Sequence, residues 1–188
     1  DITDSLRGGR FGGYLAVRDE DLVSYREDLD TLASALITEM NAIHTGGFDI
    51  NGNAGVNFFE PDPPGSGAAN AIRFNSAIRA DPSLIAASGA TNEPGNNANV
   101  NLMLDLRDTT VASLDTRTFA EYASDLIAGV GQDRATTEAS FEASLVIVDS
   151  LESKRQGVSA VSLDEEAASL AQWQQSFEAA AKFLQTMN

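Results

Sequence analysis

Asp49, Asn51, Asn53, Asn57 and Glu60 stand at the first, third, fifth, ninth and twelfth places of a calcium-binding loop, with Val56 at its apolar eighth place. Oxygen donors at that spacing can wrap a hard divalent cation. Two features of the stretch oppose it. The sixth place, where such a loop turns sharply, is Ala54 instead of glycine, and Pro61, Pro63 and Pro64 block the helix that should follow Glu60. The spacing therefore reads first as a turn held by side-chain hydrogen bonds from Asp and Asn, with calcium as the alternative.

Other chemistry is thinner. His44 is the sole histidine, which removes multi-histidine metal sites, and its place in the last turn of a helix suits a cation facing the dipole. A Ser–His–Asp set lacks any Gly-x-Ser-x-Gly elbow. Gly8, Gly9, Gly12 and Gly13 precede no Lys-Ser/Thr pair, so they form no phosphate loop. Asp164, Glu165 and Glu166 could pair for acid–base work, but they follow Ser162 as helix-capping charge should. No catalytic residue, metal or cofactor is assigned, and the expected role is not enzymatic.

The elements that position these residues are mostly helical. Ser162 with Glu165 forms a capping-box pattern. Leu163, Ala167, Leu170, Gln174, Phe177, Ala181 and Leu184 then repeat at alternating four- and three-residue steps, the seam of a coiled coil. Gln174 is its polar, register-setting position, and Trp173 and Phe183 lie beside it. No glycine or proline follows Met187, so the helix is expected to run on past Asn188. Gly157, Val158, Ser159 and Ser162 belong to a connecting turn.

Upstream, Leu22, Tyr25, Leu29, Leu32, Leu36 and Ile43 keep the same rhythm from Asp19 to His44, and Gly46-Gly47 closes that helix. Between Phe48 and Asn99 the periodicity fails. Turn chemistry at 49–53, a proline–glycine cluster near 61–67, a short strand at Ala71–Phe74 and a short helix with Asp81 as its cap and Pro82 at its first position, ending near Ser88-Gly89, are expected there. Helix resumes from Asn99 to Leu106 and again from Thr118, where Phe119, Tyr122, Leu126, Val130, Phe141, Leu145, Val148 and Leu151 share a stripe. Gly129 and Gly131 weaken it by about 1 kcal/mol each, and a helix continuing to Gln156 would be on the order of 55 Å long. The expected fold is mainly α: an elongated bundle of long near-antiparallel helices with a small irregular β-containing appendage. Its parts are 1–47, an entry segment and first long helix; 48–98, the appendage; and 99–188, the returning helices.

Composition narrows the partners. The 188 residues carry 28 acidic and 12 basic groups, a net charge of −16, so a basic face for nucleic acid is missing and anionic membranes are disfavoured. Cysteine is absent, which removes disulfides and thiolate chemistry. No apolar run approaches the roughly 20 residues of a membrane span, so membrane insertion is not expected. The first residue is Asp1, which suggests that the native N-terminus lies further upstream.

The run from Gly157, Val158, Ser159, Val161, Leu163, Asp164, Glu165 and Glu166 to Gln174, Gln175, Phe177, Ala179, Ala181, Gln185 and Thr186 resembles the C-terminal signature of bacterial flagellar axial proteins, above all the hook-associated family of the hook–filament junction. The resemblance extends to Gly9–Leu15, Arg18-Asp19, Gly47–Gly55, Phe58-Phe59 and the Asn96–Asn99 run before Leu102. It implies a structural subunit that is exported by the flagellar secretion apparatus, with an export chaperone, and packs extracellularly against copies of itself and neighbouring hook and filament subunits. Leu163, Leu170, Trp173, Gln174, Phe177 and Leu184 would make those contacts. Relative to the family, the paired N-terminal helices are missing and the outer β-rich domain after the two phenylalanines is reduced to a Pro/Gly stretch. Another flagellar axial protein, of the hook or rod, and a soluble calcium-binding module are the alternative readings.

Overall fold

The computed structural model describes residues 8–61, 67–93, 95–159 and 163–187. The mainly α expectation holds, with 76% of the structure helical. Among the described residues β-structure is confined to isolated bridges, Phe48 with Ala54 and Ser88, Phe59 with Phe74, and Val111 with Arg117. The expected strand at Ala71–Phe74 is instead a helical turn followed by one such bridge.

The chain forms two compact units, Asp1–Gly131 and Gln132–Asn188. In the first, α1 (Gly9–Ala16) runs through a π-helical turn at Val17–Asp21 into α2 (Leu22–Gly46). Helix thus begins about ten residues before the apolar rhythm predicts, despite Gly12 and Gly13, because helical propagation costs less than a fresh start. The irregular segment contributes α3 (Ala68–Ala71), α4 (Ser76–Ala80) and a 3-10 turn, Pro82–Leu84, in which Asp81 accepts the Ser83 N–H at 3.0 Å. Then come α5 (Ala98–Asp105) and two further 3-10 turns, Leu106–Asp108 and Ala112–Leu114.

The core of this unit is small. Ala35, Leu106, Val111 and Leu114 are buried together, with Leu32, Met40, Ile43, Phe119 and Tyr122 packed around them. Helix α2 is the spine: it packs against α3, α5 and the Ala112–Leu114 turn. Its seam is only half used. Leu32 and Ile43 reach the core, whereas Leu22 and Leu29 remain exposed.

Helix α6 (Phe119–Ser159) opens in the first unit and continues into the second, and α7 is Leu163–Met187. At 1.5 Å per residue α6 is about 61 Å long. Its start carries a reciprocal capping box: Glu121 N–H donates to Thr118 Oγ1 at 3.2 Å, and Thr118 N–H donates to Glu121 Oε2 at 2.9 Å. Gly157, Val158 and Ser159 fall inside this helix and not in a connecting turn, a correction to the sequence reading. One glycine costs only about 1 kcal/mol against alanine, too little to stop a helix fed by Leu151 to Gln156. Ser162 and its capping box lie outside the described residues.

Candidate assembly surfaces and the loop junction

Two constructions stand out, a closed junction of loops at the end of α2 and open apolar stripes on α6 and α7.

At the junction, His44 is wholly buried. Its Nδ1 meets the Val56 carbonyl oxygen, its Nε2 accepts the Ala86 N–H at 2.9 Å, and its ring lies 5.2 Å from that of Phe58. One neutral tautomer satisfies both contacts, Nδ1 donating and Nε2 accepting. The residue is therefore a clamp for two loops, which corrects the sequence reading of it as a group facing the helix dipole. Gly55 packs so closely that a Cβ there would sit 2.0 Å from the His44 carbonyl oxygen. Asn99, also buried, donates from Nδ2 to the Ala86 carbonyl at 2.7 Å. Asn41 holds the next stretch from both sides, donating to Phe59 O at 3.1 Å and accepting Phe59 N–H at 2.8 Å.

The calcium-spaced residues are distributed through this junction. Asp49, only 5% exposed, accepts the Asn51 and Asn53 N–H groups on Oδ1, both at 2.8 Å, and Asn53 Nδ2 on Oδ2 at 3.1 Å. Burial pushes its carboxyl up, but the bonds from Asn53 and Asn51 together outweigh that and hold it below the usual range. Glu60 faces elsewhere: its Oε1 accepts the Ser76 N–H at 2.8 Å at the start of α4, which lowers its pKa, first through that backbone bond. The Asn57 carbonyl accepts from Asn75 Nδ2 at 2.7 Å. Asp49, Asn51 and Asn53 thus close one turn on themselves, while Asn57 and Glu60 are engaged elsewhere, with Asn75 and Ser76. Among the described residues no group of three or more His, Asp and Glu is placed to hold a metal ion.

The stripes are the opposite case. On α7, Leu170, Trp173, Phe177 and Leu184 are each at least 60% exposed, with Trp173 at 76% and Phe177 at 77%. Leu170, Trp173, Gln174 and Phe177 line an open depression on that helix. Leu163 begins the same helix. On α6, Phe141, Leu145, Val148 and Leu151 recur at three- and four-residue steps, each more than half exposed, and Val158 near the end is exposed as well. Large apolar side chains in a contiguous exposed row mark an interaction surface.

A family model described as the flagellar hook-associated protein FlgK helical domain matches residues 1–59. A second, the flagellar basal body rod FlgEFG protein C-terminal region, matches residues 154–188. Flagellar hook-associated protein 1 of Salmonella typhimurium is 25% identical over 270 residues, covering 97% of this chain and 49% of the relative. The chain is similar, along most of its length, to the flagellar hook-associated proteins. The Escherichia coli protein of the same name is 24% identical over 263 residues, covering 97% of this chain and 48% of that one. The Bacillus subtilis protein is 26% identical over 181 residues, covering 92% and 36%. The chain thus spans about half the length, or less, of the relatives it matches. The two enterobacterial alignments are longer than the 188 residues of this chain, so those relatives hold added residues within the aligned span.

The sequence missed the clamps. His44, Asn41 and Asn99 act on backbone groups far along the chain, and local patterning carries no sign of that. The Thr118–Glu121 capping box was legible: Thr-x-x-Glu directly precedes an apolar run.

Proposed function

We propose that this protein is a structural subunit of the bacterial flagellum, joining hook to filament by helical packing. The observation that carries the reading is the exposed row Leu170, Trp173, Phe177 and Leu184 on α7, within the segment matched by the rod-protein C-terminal family. Burying such a row against another subunit is favourable by about 25 cal/mol per Å² of apolar surface removed from water. Other copies of this chain and the neighbouring hook and filament subunits are the partners, with Gln174 fixing register in the seam. The role is mechanical and extracellular, reached through the flagellar export apparatus, and an export chaperone would cover the same apolar row before assembly. No helix among the described residues is long and apolar enough to cross a membrane.

The test is co-sedimentation of the full-length protein with isolated hooks, followed by addition of filament subunits. Saturable binding to hook ends that then permits filament growth supports the proposal. A protein that stays in the supernatant at every concentration contradicts it.

A further inference from the structure

We propose that Asn51-Gly52 is a self-modification site, converting slowly to aspartate and iso-aspartate at a rate set by the Asp49 turn. The pair is the one Asn-Gly step in the chain, and Asn51 is exposed at the tip of the turn that follows Phe48. In this chemistry the Gly52 backbone nitrogen attacks Asn51 Cγ. A Cγ–N bond forms, the Cγ–Nδ2 bond breaks, and ammonia leaves with the proton from the Gly52 nitrogen. Water then opens the five-membered imide. Cleavage at Cγ gives aspartate, and cleavage at the main-chain carbonyl reroutes the backbone through the side chain.

Glycine at the second place leaves the attacking nitrogen free of a side-chain neighbour, and Gly52 holds φ at +80°, where few other residues are comfortable. The turn, however, restrains the step. The Gly52 N–H donates to the Asp49 carbonyl at 3.0 Å, the Asn51 N–H is held on Asp49 Oδ1 at 2.8 Å, and Thr91 Oγ1 donates to Gly52 O at 3.0 Å. The reaction therefore proceeds from a locally opened turn, and Asp49 governs how often it opens.

The product matters because of where it sits. An extra backbone carbon between Asn51 N and Asn53 N separates the two donors that share Asp49 Oδ1. Either product also adds a carboxylate next to the buried Asp49. Both changes loosen the turn whose base, Phe48, pairs with Ser88 through N–H···O bonds of 2.8 and 3.1 Å.

The experiment is ageing of the full-length protein in warm, mildly alkaline buffer, with peptide mapping by mass spectrometry and a separation of aspartate from iso-aspartate. The wild-type 51–52 peptide should gain the mass of an NH2-to-OH exchange, more slowly than a synthetic peptide of residues 47–55. Asp49→Ala should accelerate this several-fold, Asp49→Asn, which keeps an acceptor for the Asn51 N–H, should stay near the wild-type rate, and Asn51→Gln should remain unmodified. No conversion while the free peptide reacts to completion would overturn the proposal. So would conversion that Asp49→Ala leaves unchanged.

Discussion

Helices α2 and α7 carry the same alternating three- and four-residue apolar rhythm and have opposite fates. In α2, Leu32 and Ile43 meet Leu106, Val111 and Leu114, and the helix end is locked by His44 and Asn99. In α7, Leu170, Trp173, Phe177 and Leu184 remain in solvent. Periodicity alone therefore specifies that a helix has an apolar face; what covers that face depends on residues elsewhere. The covered face supports the stability of the first unit, the exposed face is the one proposed for assembly, and each can be disrupted separately.

The largest expected effect is on the closed side. Leu114 is fully buried, so Leu114→Ala should destabilise the first unit by about 2–5 kcal/mol, read as a lower midpoint in urea unfolding. A change within about 0.5 kcal/mol would mean that this core does not support the unit. His44→Ala comes next. It leaves the Ala86 N–H and Val56 carbonyl without partners, each costing about 1–3 kcal/mol, and hydrogen exchange at Ala86 should rise sharply while α7 amides are unaffected.

Acid should also act first on the closed unit. Glu60 and Glu121 are held below their ordinary values chiefly by the N–H groups of Ser76 and Thr118, Asp81 by the side chain and then the N–H of Ser83, and Asp49 by hydrogen bonds from Asn53 and Asn51 against its burial. Folded values below unfolded ones mean stability that is fully present above the ordinary values of 3.8 for Asp and 4.5 for Glu. It is lost as pH falls through the lowered folded values. Thermal melts should therefore hold steady down to about pH 5 and then decline, most of all for the first unit. Glu60→Gln should flatten part of that decline; an identical acid profile would remove Glu60 from the account. The smallest expected effect is that of calcium, whose addition should leave the melting temperature unchanged, because Asp49 and Glu60 already serve the backbone at separate points. A calcium-dependent rise that Glu60→Ala abolishes would restore the binding-loop reading.

The difference between what was legible and what was not has a physical origin. Helices α2, α5, α6 and α7 follow from local periodicity, and the cap at Asp81-Pro82 was legible, but the short helix expected to run to Ser88-Gly89 is only a 3-10 turn that stops at Leu84. His44 illustrates the limit. In sequence it is a lone histidine in a last helical turn, and only the return of residues 55–58 and 85–88 buries it. The short strand expected at Ala71–Phe74 failed for a related reason: Glu60 N–H to Arg73 O and Asn75 N–H to Phe58 O, both 2.9 Å, make one rung that neighbouring residues do not extend. Gly157 to Ser159 misled in the other direction, since a glycine suggests a turn but cannot by itself end a long helix. The stripe on α7 was readable as unfilled, and its exposure agrees with that, although the side chain of Leu163 lies outside the described residues.

The most direct test compares the full-length protein with its Trp173→Ser/Phe177→Ser variant in two readouts, unfolding midpoint and binding to isolated hooks. An unchanged midpoint for the first unit together with loss of hook binding is expected, because both side chains are more than three-quarters exposed and take no part in the first unit's core. Undiminished binding by a variant that folds normally would contradict it.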